Sequence, residues 1–107
     1  MRVLVDESPP VELADQIAGY DVATVGSEGW LGLGNGVPLA RGRPAGFSII
    51  VTADRDLPHQ QNLAAIGISA VILAGVRNRI EDLRPLIPGI LAAIARVRPG
   101  EAVEVGR

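Results

Sequence analysis

Two short runs, Phe47–Thr52 and Ser69–Ala74, are apolar on both faces of a strand. A strand of that kind has to be covered on both sides, which points to the interior of a parallel sheet with helices packed above and below it. Two further β-rich runs, Arg2–Val5 and Asp21–Val25, bracket a helical face made by Val11, Leu13, Ala14, Ile17 and Ala18. That face begins just after Pro10 and stops at Gly19, and the unit reads as a strand–helix–strand crossover. Beyond the second strand, residues 26–46 hold seven of the 13 glycines together with Pro38 and Pro44, so only a weak helix over Val37–Arg43 is expected.

The C-terminal half continues the alternation. A helix is expected from Leu57 to Ala65, and a long amphipathic stripe runs through Ile80, Leu83, Ile87, Ile90, Leu91, Ile94 and Val97. Pro88 cannot donate to the carbonyl of Arg84, so the stripe should kink there, or its helix should start near it. Glu101–Val105 suits a last edge strand. With 107 residues and 48% hydrophobic content, residues 1–107 form one domain. The expected architecture is a three-layer α/β/α sandwich with a mostly parallel sheet of four or five strands, in the order 2-1-3-4 with the last segment at an edge or unpaired.

Composition narrows the chemistry. There is no cysteine, which removes disulfides, thiolate metal sites and cysteine nucleophiles. All ten basic residues are arginine, so the phosphate-binding lysine of a P-loop and a Schiff-base lysine are both missing. A receiver-type phosphoacceptor domain also needs a lysine and is rejected as an active form. A formal net charge of −2 gives no general attraction to nucleic acid or an anionic membrane. No apolar run approaches the roughly 20 residues of a membrane span. Met1 leads straight into a strand-like run with no signal-type core, so a cytoplasmic, soluble protein is expected.

In open parallel sheets ligands bind beyond the carboxyl ends of the strands, where the strand order reverses. In the expected order that point lies between the Arg2–Val5 and Phe47–Thr52 strands, and both end in acids: Asp6 and Glu7 on one, Asp54 and Asp56 on the other. Carboxylates crowded there without lysine call for a cation, and an oxygen-only donor set favours Mg2+ or Mn2+. The plainer alternative has Asp54 or Asp56 capping the next helix, and Asp6 or Glu7 serving a turn before Pro9. Arg41, Arg43, Arg55, Arg77 and Arg79 are phosphate-binding candidates or simply solvent-facing. His59 is a candidate base or an exposed structural residue, and Trp30 reads as an apolar plug over the sheet, with base stacking as the alternative. Gln60, Gln61 and Asn62 cap backbone groups or line the cleft, with solvent-facing roles preferred. The glycines between Gly32 and Gly36 neither follow a strand directly nor open a good helix, so they are not read as a dinucleotide loop.

Val3-Leu4-Val5-Asp6-Glu7-Ser8-Pro9, Tyr20-Asp21-Val22-Ala23-Thr24-Val25, Glu28-Gly29-Trp30 and Ile50-Val51-Thr52-Ala53-Asp54-Arg55-Asp56-Leu57 together resemble the small PIN-like family, related to the toxin nucleases of bacterial toxin–antitoxin pairs. The resemblance implies a Mg2+- or Mn2+-dependent ribonuclease with Asp6, Asp54 and Asp56 as catalytic residues. Asp6, Glu7, Asp54 and Asp56 are the candidate metal ligands, and Asn35, Arg55, His59 and Gln61 are candidates for substrate contact. The partners the resemblance implies are RNA and a small antitoxin protein. One departure matters: the stretch Asn35-Gly36-Val37-Pro38 has no carboxylate where such proteins usually supply a further acid from the middle helix. Either Glu7 completes the site, with Asn35 adding a weaker amide oxygen, or the protein is a degenerate relative that binds RNA or a protein. The apolar stripe near the C-terminus, with Trp30, Leu31 and Leu33, further suggests a homodimer.

Overall fold

A computed structural model describes residues 2–32, 36–75 and 77–106. Five strands, β1 (Arg2–Val5), β2 (Asp21–Thr24), β3 (Phe47–Thr52), β4 (Ser69–Ala74) and β5 (Ala102–Gly106), form a single sheet in the order β2-β1-β3-β4-β5. Every pairing is parallel. The strands expected to be doubly covered are so: Ile49, Ile50, Val51 and the whole of β4 are buried. β1 and β3 are neighbours, with Leu4 opposite Ile50 and Val5 opposite Val51. The last segment joins the sheet at its edge, beside β4.

Strand residues alternate between two cores, as a period of two requires. Val3, Val5, Ile49, Val51, Val71, Leu73 and Val105 pack on one side against α1 (Glu12–Gln16), α5 (Ile80–Leu83) and α6 (Ile87–Arg96). Leu4, Ile50, Ala70 and Ile72 pack on the other against α2 (Gly36–Gly42), α3 (Leu57–Gln60) and α4 (Leu63–Ile66). Helices therefore cover both faces. Trp30 sits edge-on to Phe47 with ring centroids 6.2 Å apart, half-buried against the second core, which is the plug expected of it. Among the described residues no helix is long and apolar enough to cross a membrane.

One helical stretch breaks where none was expected, and in the other the last helix starts beside Pro88 as expected. The stretch after β3 is two short helices, because Gln61 is extended (φ −126°, ψ 138°) and Asn62 starts a new helix by accepting the amide of Ala65. The C-terminal stripe divides into α5, a 3-10 turn over Arg84–Leu86 and α6. Pro85 and Pro88 lie in the first turns of the latter two, where a missing N–H costs nothing. Ile90, Ala93 and Ile94 of α6 are buried against the sheet, so the stripe is used within the fold, and the surface argument for a homodimer loses its main support. Leu31 remains exposed, and Leu33 lies outside the described residues.

The turn into β5 depends on a glycine. Gly100 has φ +79°, and a Cβ there would come within 2.7 Å of Cα of Ala64 in α4. Ser69, buried at the start of β4, accepts the amide of Gly100 and donates to the carbonyl of Arg98, which fixes the turn against the sheet. Gly100→Ala combines left-handed strain with a backbone clash, and should cost about 2 kcal/mol or more. Urea unfolding of the variant measures this, and wild-type stability would contradict it.

Candidate functional site

The chain crosses from β1 to β2 on one side of β1 and returns to β3 on the other, so the strand order reverses between β1 and β3. Such a reversal splays the two following loops apart and leaves a crevice at the carboxyl ends of the strands. Asp6 follows β1 directly. Its amide donates to the carbonyl of Val51 at 2.9 Å, so the position after β1 is held against β3. The residue is 8% exposed, unusual for an ionisable group.

Burial of that carboxylate is offset by two hydrogen bonds. The Thr52 hydroxyl, at the end of β3, donates to Oδ2 at 2.7 Å, and the Glu7 amide donates to Oδ1 at 2.9 Å. Thr52 is fully buried, and its Oγ1 also accepts the amide of Asp54 at 3.1 Å. One hydroxyl thus fixes the orientation of Asp6 and the course of the chain into Asp54. Asp54 in turn accepts the amide of Asp56 through Oδ1 at 3.0 Å, an Asx-type turn into α3. Asp54 is half-buried, while Asp56 is exposed.

The other acids are directed elsewhere. Glu7 is exposed and its Oε2 accepts the amide of Gly32 at 2.9 Å, which ties the glycine-rich segment after β2 to the loop after β1. The same loop is held from the opposite side, where Asn78 donates to the Ser8 carbonyl. Asp56 lines a groove toward β5 with Arg55, His59 and Glu104. Arg55 pairs with Glu104 at 3.2 Å, His59 is exposed on α3, and Gln61 is half-buried on the neighbouring wall of that groove. Asn35 lies outside the described residues. Of the arginines, Arg55, Arg77 and Arg79 stand on loops at the carboxyl end of the sheet. Arg43 instead lines a cavity at the opposite end with Ser48, Gly67 and Ser69.

Sequence reasoning picked out Asp6 and Asp54 but did not give Thr52 a role in the site. A hydroxyl at the last position of an otherwise apolar strand, two residues before an aspartate, was the available signal. Among the described residues no three of the His, Asp and Glu side chains gather closely enough to hold a metal ion. A carboxylate oxygen offers about two acceptor positions, so Asp6, with one hydrogen bond on each oxygen among the described residues, has acceptor capacity for a cation. Mg2+ is usually held by one or two carboxylates, with waters and substrate phosphate completing its shell. The donor chemistry of Asp6 and Asp54 fits such an open site rather than a closed protein cage.

The fold and the crevice define a doubly wound, all-parallel α/β domain with an acidic switch point. Comparison with known proteins finds no matching family model, no similar curated protein and no similar solved structure.

Thr52→Val keeps the shape of the side chain and removes the hydroxyl shared by Asp6 and Asp54. The expected loss is about 1.5–3 kcal/mol, the range for a hydrogen bond to a charged group. Thr52→Ser should restore most of it. Urea denaturation of the pair tests this, and a Val variant as stable as wild type would show the hydroxyl to be dispensable.

Proposed function

We propose that this chain is a divalent-cation-dependent ribonuclease of the small PIN-like kind, with Asp6 and Asp54 as the residues that would hold Mg2+ or Mn2+. The observation that carries the reading is the buried Asp6 carboxylate at the switch point, aimed by a Thr52 hydroxyl that also positions Asp54. An isolated acid there would be an expense of folding; an acid given two donors and kept at the mouth of a crevice is an oriented ligand. When bound, the cation would offset phosphate charge and make a bound water more acidic for in-line attack.

The chain's own groups supply the rest. Asp6 is held in a single orientation by Thr52 and by the Glu7 amide, so its carboxylate needs no reordering on binding. Arg77 and Arg79, on the loop after β4 at the same end of the sheet, offer guanidinium groups to backbone phosphates, with Arg79 held in place by its 3.0 Å pair with Asp82. Asp56 and His59 stand on the β5 side of the loop, in the groove with Glu104, and take no part in holding the cation.

A second reading rests on Glu7. Its carboxylate is bonded to the Gly32 amide, and among the described residues no third acid joins Asp6 and Asp54. That arrangement favours a module with little or no activity that binds RNA or a protein.

Thermal melts with and without Mn2+ separate the readings. At about ten times its Kd, Mn2+ should stabilise the wild type by about 1.4 kcal/mol, on the order of 5 °C or more for a chain of this size. Asp54→Asn, which keeps the turn into α3, and Asp6→Asn should both lose that shift and any metal-dependent cleavage of single-stranded RNA. A Mn2+ shift in the wild type without cleavage supports the inactive module. Identical melts in all samples remove the cation from the account.

A further inference from the structure

At the edge of the sheet, β5 pairs with β4 alone among the described residues. The Ala70 amide donates to the carbonyl of Glu101 at 2.9 Å. Strand parity then turns the peptide groups of Val103 and Val105 toward β4, and those of Ala102, Glu104 and Gly106 outward. β5 has no proline, so Ala102 and Glu104 each offer both an N–H and a C=O outward, and Gly106, whose φ of +148° departs from the regular strand, adds its N–H.

A groove follows this edge on the face that carries α3 and α4. Two concavities of about 540 and 530 Å3 share Pro58, His59 and Ala102, and a smaller one of about 220 Å3 continues past Arg55 and Glu104 to Gly106. Ile72 and Ala102 line its middle, where the small side chain of Ala102 leaves the space open. The charges along it are Arg55, Asp56 and Glu104, and Arg55 is already paired with Glu104. The excess is negative.

We propose that this edge is a docking site for an extended, basic peptide segment of a partner protein. The segment adds a sixth strand to β5 and places alternate side chains in the groove over Ile72 and Ala102. Main-chain bonds to Ala102, Glu104 and Gly106 supply affinity, and the groove supplies selectivity. Asp56 and Glu104 select Lys or Arg side chains and repel the phosphates of a nucleic acid. A second copy of this chain is disfavoured, because antiparallel pairing centred on Glu104 sets that carboxylate against its own copy. The proposal uses neither Asp6 nor Asp54, so it stands apart from the ribonuclease reading.

The test uses the full chain, labelled with nitrogen-15, and a fluorescein-tagged peptide of alternating lysine and valine. Saturable anisotropy is expected, with amide shifts concentrated at Ala102, Glu104 and Gly106 rather than at Val103 and Val105. N-methylating alternate peptide residues should weaken binding about tenfold or more, as should Ala102→Trp, which fills the groove. Glu104→Pro removes one outward donor without touching the β4 ladder and should act likewise. Its thermal melt checks folding, and if it fails to fold, the N-methylated peptide and Ala102→Trp decide. No saturable binding at millimolar peptide overturns the proposal, and so does binding indifferent to N-methylation. Displacement of the peptide by oligouridine assigns the groove to RNA. A concentration-dependent dimer in sedimentation, lost in the β5 variants, assigns the edge to a second copy; either result also overturns the proposal.

Discussion

Burial of the central strands on both faces is the constraint from which the other features descend. Leu4 and Val5 of β1, Ile50 and Val51 of β3, and Val71 and Ile72 of β4 point alternately into two separate cores. Neither core can form without helices on its own side, so every connection must leave the sheet, cross one face and return parallel. With β1 in the interior, the chain has to build outward on one side of it and then on the other. The reversal between β1 and β3 is thus a consequence of covering both faces, and the crevice at their carboxyl ends comes with it.

What stands at that reversal is a buried acid that the surrounding chain accepts. Asp6 receives a hydroxyl and an amide, and among the described residues no buried side-chain nitrogen or oxygen lacks a partner. The other buried hydroxyl, Ser69, lies at the opposite end of the sheet and is spent on the turn into β5. The two ends therefore divide the work. One end uses buried polarity to close a turn, and the other uses it to orient a carboxylate that has acceptor capacity for a cation. The loop after β1 is clasped from both sides, by Gly32 on Glu7 and by Asn78 on Ser8, so Asp6 stands on a braced segment.

Much of this was legible in the chain itself. Doubly apolar runs predicted the parallel interior strands, and the acids after Val5 and Thr52 marked the two strand ends that prove to be neighbours. Pro88 announced the start of α6, and Trp30 between glycines announced an apolar plug. Three features were not legible, each because its partner lies far along the chain or because a local bond outcompetes the periodic pattern. The Asn62 side chain bonds the Ala65 amide, which ends one helix and starts another within a single apolar period. Glu7 reaches 25 residues ahead to Gly32, which no spacing rule signals. The groove along β5 brings together α3 and the last strand, and the Arg55–Glu104 pair on it joins residues 49 positions apart. Local patterning places elements; the destination of a flexible carboxylate depends on which backbone amide the finished fold leaves within reach.

The central claim is that Asp6 and Asp54 form an oriented cation site at the switch point. Paramagnetic broadening by substoichiometric Mn2+ in nitrogen-15 spectra tests it most directly, because the effect falls off steeply with distance from the ion. The account predicts selective loss of the amide signals of Glu7, Ala53 and Asp54, with Arg43, Gly67 and Ser69 at the far end of the sheet untouched, and no such pattern in Asp6→Asn. Broadening centred instead on the helix acids Glu12 and Asp15, or Glu81 and Asp82, or no broadening at all, would contradict it.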